Sequence, residues 1–309
     1  EGLGGAGRVI VSVALNPALL VDYTAERVQL GTANPIATVR TRVGGRGLTV
    51  ARLVHTFGHD VTAAGLAGGS AGELIRAGLA RAGVATSFTR IAAESRRVVQ
   101  VRDVTSGQTT SLAEPAPYIT TEELGRLAAD YRALLDGATA VVLAGSLPAG
   151  LPAEIYGSLI SYAAQAGVPV VLDAGGSALR SGAGRGPALI IPEQAAEAAG
   201  LEPGDDSAVV LATDRGVLAS TLDGQWLAEI SPAAIAAARR SQPAEPESAA
   251  FRDGLVAGFV PGIALGWSWP DMLRHALALA ASAAPDGEAD LAAYEALLPA
   301  VLVTGPGSD

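Results

Sequence analysis

The sequence contains no cysteine. This absence excludes a disulfide scaffold, thiolate catalysis and a cysteine-based metal site. It fits a reducing compartment, and we expect a cytoplasmic protein. Two of the three histidines, His55 and His59, lie four positions apart. Because Gly58 and Asp60 indicate that the helix ends there, and because no Glu follows His55 as in zinc proteases, no metal site is predicted.

Basic residues are in the minority, with 21 Lys and Arg against 31 Asp and Glu and a net charge of -10. This balance lacks the basic footprint of a nucleic-acid-binding protein, and no polybasic run indicates a membrane surface. The longest apolar stretch, 255–267, is too short to span a bilayer. We therefore expect no nucleic-acid or membrane partner. A few local arginines can still bind a small phosphate-bearing ligand.

Aromatic residues make up only 4% of the chain, whereas 49% of the residues are hydrophobic. The core should therefore consist of closely packed helices with Ala- and Leu-rich faces. Apolar, strand-like runs alternate with helical patterns, which predicts a mostly parallel sheet covered on both faces, the α/β class. The predicted strands are 9–15, 61–66, 138–144, 168–173, 188–191 and 208–212, and the predicted helices are 47–57, 70–82, 121–135, 153–166 and 271–283.

Two segments, about 21–43 and 86–112, interrupt this alternation. Both contain strand-like pieces without intervening helices, and Ser106-Gly107 marks a turn in the second. They predict an antiparallel β lid outside the main sheet, which typically covers a ligand or a partner subunit. We expect a single domain over 1–309, with a Gly-rich tail at 1–8 and a loop at 240–247.

A glycine-rich turn, Gly44-Gly45-Arg46-Gly47, leads directly into a predicted helix. Backbone N–H groups at a helix N-terminus, with a guanidinium nearby, form an anion site, and glycine lets a ligand approach the backbone. An equally good interpretation is a turn whose glycines serve close packing alone. The spacing does not separate the two interpretations.

The segment Ala249-Ala250-Phe251-Arg252-Asp253-Gly254 places an acidic residue at the head of a strongly apolar helix. Taken alone, Asp253 is best interpreted as an N-terminal Asp that the helix dipole favours. A functional role needs further support from the rest of the chain.

That support comes from a resemblance over about residues 9–300. The chain resembles the PfkB branch of the ribokinase superfamily, nearest to 1-phosphofructokinase and tagatose-6-phosphate kinase. The family's Gly-Gly-Lys-Gly-x-Asn-Val-Ala is matched by 44–51, and its Gly-Ala-Gly-Asp-Ser-x-Val-Ala-Gly-Phe by 250–259. Other matches follow in family order: Asn16-Pro17-Ala18, Gly68-Gly69, Ser95-Arg96, Glu114-Pro115, Gly145-Ser146-Leu147-Pro148-Ala149-Gly150 and Leu172-Asp173.

The resemblance implies a ribokinase-like fold, with a central sheet flanked by helices and a small β lid that often pairs subunits into a homodimer. It implies transfer of the ATP γ-phosphoryl group to a sugar hydroxyl, with Mg²⁺ bridging the phosphates. Asp253 would be the base that takes the hydroxyl proton. The substrate is expected to be a sugar phosphate, whose phosphate Arg46 and Arg96 would bind bidentately while Ser146 adds a hydroxyl.

Departures from the family pattern fall mainly on the nucleotide side. Ala250, Phe251 and Arg252 replace the Gly-Ala-Gly of the anion hole, so a Cβ restricts each position, although Arg252 offers a compensating charge. The family's Lys-Pro-Asn-x-x-Glu reads as 191–196 and ends in Ala196. The candidate nucleotide-side residues are Arg252, Gly254, Thr213 and Gly216.

On the sugar side, Leu20 replaces the Asp that would accept a hydrogen bond from a hydroxyl, and Asp22, two positions on, is a candidate substitute. Two hypotheses remain. One is a sugar-phosphate kinase with impaired activity, which uses ATP and Mg²⁺. The other is a non-catalytic relative, without a cofactor, that binds a phosphorylated sugar or another metabolite as a sensor or partner subunit.

Overall fold

The computed structural model describes residues 9–205, 207–213, 216–238, 248–284 and 287–306. Two sheets make up the β structure of this part of the chain, a ten-stranded main sheet and a four-stranded lid. The predicted tail at 1–8 and the predicted loop at 240–247 lie outside the described residues.

The main sheet is parallel through its centre and antiparallel at one edge, in the order β14-β13-β12-β11-β10-β9-β8-β1-β4-β5. Its central strands read as continuous apolar runs because helices cover both faces. The predicted α/β class is confirmed. The strands are β1 (Val9–Ala14), β4 (Val61–Gly68), β5 (Ala85–Ile91), β8 (Ala138–Ala144), β9 (Val170–Ala174), β10 (Leu189–Pro192), β11 (Ala208–Ala212), β12 (Val217–Thr221), β13 (Gly224–Glu229) and β14 (Leu302–Thr304).

Two apolar cores lie on opposite sides of this sheet. One packs beneath α1, α2, α7 and α8, and the other beneath α3, α4 and α5. The predicted helices are all present within one to three residues of their expected ends. The bounds are α1 (Arg46–Thr56), α2 (Gly69–Arg81), α3 (Thr121–Leu135), α4 (Ile155–Gln165), α5 (Gly176–Ala183), α6 (Pro232–Ala238), α7 (Ala249–Leu265), α8 (Trp269–Ser282) and α9 (Leu291–Leu297).

The lid contains β2 (Ala18–Ala25), β3 (Thr38–Gly44), β6 (Arg96–Asp103) and β7 (Thr109–Ala113), in the order β3-β2-β6-β7. Two features differ from the prediction. The strands β2 and β6 run parallel, so the lid is mixed rather than antiparallel. Residues 86–91 belong to β5 of the main sheet, because α2 forms the crossover that returns the chain parallel to β4.

Glycine lets α7 pack closely against α8. A Cβ at Gly258 would lie 2.4 Å from the Cα of Ala276, and one at Gly254 would lie 2.7 Å from the Cα of Ala280. These glycines lie four residues apart, one above the other on the same helix face. The close approach fixes α7, and with it the residues at the start of α7, against the rest of the domain.

We expect Gly258→Ala to lower the free energy of unfolding by about 1–3 kcal/mol, because the added methyl group must push the two helix backbones apart. Gly125→Ala in α3 is the matched control, since nothing lies within 4 Å of a Cβ there. That control should raise stability by about 0.5–1 kcal/mol. Chemical denaturation of both variants measures the difference, and a Gly258→Ala variant as stable as the unsubstituted protein would contradict this packing.

Candidate active site

A cleft of about 340 Å³ opens between the lid and the carboxyl ends of the central strands. Ligands of open α/β sheets bind at this end of the strands. The cleft brings residues from β1, the lid, α1, β8 and α7 together with Glu193, which directly follows β10. Its described lining is Ala14, Asn16, Leu20, Arg42, Val43, Gly44, Gly45, Arg46, Thr49, Arg96, Gln100, Ala144, Gly145, Ser146, Glu193, Ala249, Ala250, Asp253 and Gly287.

The glycine-rich turn has both a lining part and a packing part. Gly45, the N-cap of α1, has a φ of 111° and lines the cleft beside Gly44. Gly47 does not line the cleft; a Cβ there would lie 2.6 Å from the carbonyl oxygen of Val13. Gly47 therefore serves the contact between α1 and β1, as the packing interpretation predicts, whereas Gly44 and Gly45 line the cleft.

Unpaired polar groups mark the lid side of the cleft. The Nε of Arg96 is buried and has no hydrogen-bond partner among the described residues. The Nδ2 of Asn16 donates to the hydroxyl of Ser146 at 3.1 Å, while its buried Oδ1 also lacks a partner in the described part of the chain. Buried polar atoms without partners are costly in a folded protein, so these groups are suited to a polar ligand.

Asp22 does not line the cleft. It forms an ion pair with Arg42, whose Nε and Nη2 donate to its carboxylate at 2.5 and 3.2 Å. The sugar-side position that Asp22 was predicted to fill is instead occupied by Leu20, which does line the cleft. Sequence reasoning missed Arg42 as a lining residue, because alternation along a lid strand does not reveal which face meets the ligand.

Asp253 lies one turn inside α7, not at its cap. Ser248 is the N-cap, and its hydroxyl accepts the N–H of Phe251 at 3.2 Å. The simple capping interpretation of Asp253 is therefore wrong. Asp253 faces the cleft, and its buried Oδ1 has no partner among the described residues.

The environment of Asp253 disfavours its charged form. Burial, together with the nearby carboxylate of Asp173, raises the pKa of Asp253 to about 8, although Arg46, Arg252 and a hydrogen bond with Thr49 act in the opposite direction. At neutral pH the carboxyl is therefore mostly protonated. In that state it donates a hydrogen bond and cannot take a proton.

Arg252 is buried and fully engaged. Its Nη2 donates to Oδ1 of Asp173 at 3.1 Å and to the carbonyl of Pro192 at 2.7 Å, its Nε donates to the same Oδ1 at 3.3 Å, and its Nη1 donates to the carbonyl of Glu193. A buried guanidinium requires such acceptors. The guanidinium of Arg252 therefore does not act as the compensating charge expected for the anion hole, because its N–H groups already donate to these partners.

Arg46 joins the same network. Its Nη1 lies 3.3 Å from Oδ1 of Asp173, and its Nη2 lies 2.7 Å from Oε1 of Glu193. Asp173 has no solvent exposure, whereas the Glu193 side chain is 48% exposed. Every cation of the cleft is an arginine, since the chain contains no lysine.

The head of α7 is a regular helix and not a glycine-type anion nest. Ala250, Phe251 and Arg252 lie within it, and no described non-glycine residue has a positive φ. The N–H of Arg252 donates to the carbonyl of Ser248 at 3.2 Å, and the hydroxyl of Ser248 takes the N–H of Phe251. The Arg252 bond is the first regular bond of the helix, so Ser248 caps one of the amides that otherwise lack a helical partner, that of Phe251. The residues present therefore differ from the glycine-rich anion hole that the resemblance implies, and they do not fit nucleotide phosphates in the family manner.

A second cleft of about 300 Å³ lies behind Arg252. Of the four nucleotide-side candidates, Arg252 lines it and Gly254 instead packs on α8. Thr213 and Gly216 hydrogen-bond each other across the turn between β11 and β12, outside the described lining. The described lining residues are Ile191, Pro192, Glu193, Gln194, Ala195, Leu211, Ala212, Arg252 and Leu255.

The described residues contain no group of three or more His, Cys, Asp or Glu side chains placed to hold a metal ion. In the same residues, no helix is both long and apolar enough to cross a membrane.

His275 is buried in an aromatic cluster and hydrogen-bonds Tyr294 at 2.6 Å, and burial lowers its pKa to about 4.

The fold of the described residues is ribokinase-like, a central sheet flanked by helices with a small β lid. The family model described as pfkB family carbohydrate kinase matches residues 12–218, more than half of the chain, and the protein belongs to that family. The matched segment ends before α7, so it does not include Asp253.

Solved structures of phosphofructokinase type share this fold. A possible 1-phosphofructokinase from Thermotoga maritima is 21% identical with a TM-score of 0.80, covering 96% of this chain and 99% of that one. A putative phosphofructokinase from Staphylococcus aureus is 22% identical with a TM-score of 0.81, covering 97% and 100%. Phosphofructokinase-2 from Escherichia coli, in complex with potassium, is 21% identical with a TM-score of 0.82, covering 95% and 98%.

Asp253→Asn should stabilise the protein increasingly as pH rises. The unfolded carboxyl ionises near pH 4, whereas the folded one keeps its proton up to about pH 8. Between these values the unfolded state binds fewer protons, so stability falls with pH by at most about 1.4 kcal/mol per unit. Asn has no proton to lose, so the gap between variant and unsubstituted protein should widen over this window and level off above it.

Denaturant unfolding across this pH range measures the gap, with exposed Asp136→Asn as the control. A gap that stays constant or shrinks as pH rises would show that Asp253 is ionised in the folded protein at neutral pH.

Proposed function

We propose that this protein binds a phosphorylated sugar in the cleft beneath the lid and that its ATP-dependent phosphoryl transfer to a sugar hydroxyl is impaired. One contrast carries the proposal. Arg96 on the lid side retains an unpaired buried donor, whereas at the head of α7 Arg252 is held by Asp173 and Ser248 caps the N–H of Phe251. The cleft thus keeps a donor for an anionic sugar, while the head of α7 offers a less favourable site for the transferred phosphate.

The substrate side suits a sugar phosphate. A guanidinium such as that of Arg96 binds phosphate bidentately and with directional hydrogen bonds. Asn16 and Ser146 add an amide and a hydroxyl, which match the hydroxyl groups of a sugar. The cleft volume of about 340 Å³ suits a ligand of that size.

Asp253 is the proposed base. When a sugar hydroxyl becomes bonded to phosphorus, its proton must leave, and the unpartnered Oδ1 of Asp253 faces the cleft where it could be received. With a pKa of about 8, Asp253 can take this proton only in the ionised minority at neutral pH. Loss of one oxyanion donor typically lowers kcat by about 10²–10³-fold. Ser248 takes one such donor, the N–H of Phe251, so slow transfer is expected.

A non-catalytic protein is the second candidate. In this alternative the chain binds a phosphorylated sugar or another metabolite as a sensor or partner subunit. The observation that favours it is Arg252, whose guanidinium already neutralises Asp173 without any added cation. This reading needs neither ATP nor Mg²⁺, whereas the impaired kinase needs both.

We also propose a cytoplasmic homodimer that pairs through the lid. The strand β7 is exposed along its whole length and forms one edge of the lid sheet. Leu112 on β7 is 59% exposed and Val39 on β3 is 58% exposed. Exposed strand edges with apolar side chains are surfaces that a second sheet can cover.

Arg96→Gln should weaken binding of fructose 1-phosphate or tagatose 6-phosphate by about 10–100-fold, because charge-assisted hydrogen bonds to phosphate are lost. Arg97→Gln is the matched control: Arg97 is the next residue on the same strand, but it is half-exposed and pairs with Glu114. Its effect should stay below about threefold. Isothermal titration measures both. Absence of binding across the sugar-phosphate panel by the unsubstituted protein would refute the proposed function.

Turnover separates the two candidates. The impaired kinase should show slow Mg-ATP-dependent phosphorylation of one of these sugars, and Asp253→Asn should abolish it. A protein that binds the sugar phosphate but shows no turnover, with or without this substitution, would be the non-catalytic alternative.

A further inference from the structure

Arg46 is shared between a fixed acid and a movable one. Asp173, 3.3 Å from Nη1, is fully buried and is also held by Arg252. Glu193, 2.7 Å from Nη2, is 48% exposed and lies at the mouth of the cleft. Water can solvate the Glu193 carboxylate as soon as it leaves Arg46, whereas Asp173 cannot be released without exposing a buried charge.

Carboxylates pair with most of the arginines that line the cleft. Among its described lining residues, Arg42 is paired with Asp22 and Arg46 with Glu193. Among the described lining residues, Arg96 is the arginine without a carboxylate partner. A phosphate entering the cleft therefore meets one available cation at first, and it can gain a second only if Glu193 gives up Arg46.

Glu193 lies between the two clefts on a fixed backbone. Glu193 lines both the lid cleft and the second cleft behind Arg252. Its backbone is held in place, since its N–H donates to the carbonyl of Ala174 at 3.0 Å and its carbonyl accepts from Arg252. Its half-exposed carboxylate can therefore leave Arg46 without a change in the main chain.

We propose that Glu193 is a built-in competitor for the anionic group of the ligand: its carboxylate occupies Arg46 until a phosphorylated sugar displaces it. This inference rests on the proposed sugar-phosphate binding and adds how that binding is limited. Glu193 sets the affinity of the cleft and favours ligands whose negative charge is dense enough to outcompete a half-exposed carboxylate. Phosphate, with up to two charges on three oxygens, meets that requirement.

Glu193→Gln tests the proposal. The amide keeps the shape of the side chain but no longer competes as an anion. Fructose 1-phosphate should then bind about three- to tenfold more tightly, the size expected for release of a half-exposed pair together with loss of like-charge repulsion. Binding of inorganic phosphate alone should change in the same direction, whereas binding of neutral fructose should not change. Isothermal titration of each probe gives the dissociation constants.

Two further variants isolate the cause. Glu295→Gln removes the same charge from an exposed position on α9 and should leave affinity unchanged. In an Arg46→Gln background, the gain from Glu193→Gln should shrink, because no guanidinium remains to be released. Thermal melts confirm that each variant is folded.

The outcomes separate the two claims. Unchanged or weaker binding by Glu193→Gln, in a protein whose parent binds fructose 1-phosphate, would overturn the competitor role and leave the proposed function standing. A gain of equal size with and without Arg46 would overturn it too, since general repulsion would then explain the effect. If neither the parent nor Glu193→Gln binds the sugar phosphate, the proposed function itself fails.

Discussion

The carboxylate of Asp173 lies at the end of β9 with no solvent exposure, and its neutralisation organises both clefts. An isolated buried charge is very costly, so partners must be built around it. Here two guanidiniums, from Arg46 on α1 and Arg252 on α7, converge on one of its oxygens. The glycine contact between α7 and α8 fixes the backbone position of Arg252 on α7. The α1–β1 contact at Gly47 likewise fixes the backbone position of Arg46 on α1.

This arrangement explains the state of Asp253. It is next to Arg252 in sequence, but the two side chains have different surroundings, since Arg252 is engaged by Asp173 and backbone carbonyls. Arg252 donates to Asp173, and Arg46 is shared between Asp173 and Glu193, so the two guanidiniums only partly offset the burial of Asp253. Burial and the neighbouring carboxylate of Asp173 therefore raise the pKa of Asp253.

Much of the fold could be predicted from the sequence. Apolar runs marked the central strands because both faces of a parallel sheet are buried. The strand β5 was misplaced in the lid because its own sequence does not show which sheet it joins; that depends on the α2 crossover. The hairpin of β12 and β13 and the helix α5 were not predicted, because short half-buried segments carry little periodicity.

The sequence motifs predicted which residues lie near the cleft, but not which hydrogen-bond and ion-pair partners they have. Six residues singled out by the motifs line one cleft: Gly44, Gly45, Arg46, Arg96, Ser146 and Asp253. They did not reveal that Ser248 caps α7, that Asp22 pairs with Arg42, or that Thr213 and Gly216 close a turn, since each depends on distances between strands and helices. The commitment of Arg252 to Asp173, 79 positions away, was equally hidden.

We infer that the first turn of α7, where Ser248 caps Phe251 and Asp173 holds Arg252, binds nucleotide phosphates poorly, while the lid cleft binds a phosphorylated sugar. Calorimetric titration of Mg-ATP into the unsubstituted protein, in the same preparation that binds fructose 1-phosphate, tests this contrast. We expect weak binding, with a dissociation constant of about 1 mM or higher, which corresponds to about -4 kcal/mol and still permits the slow transfer of an impaired kinase at millimolar ATP. A micromolar dissociation constant for Mg-ATP would contradict this expectation.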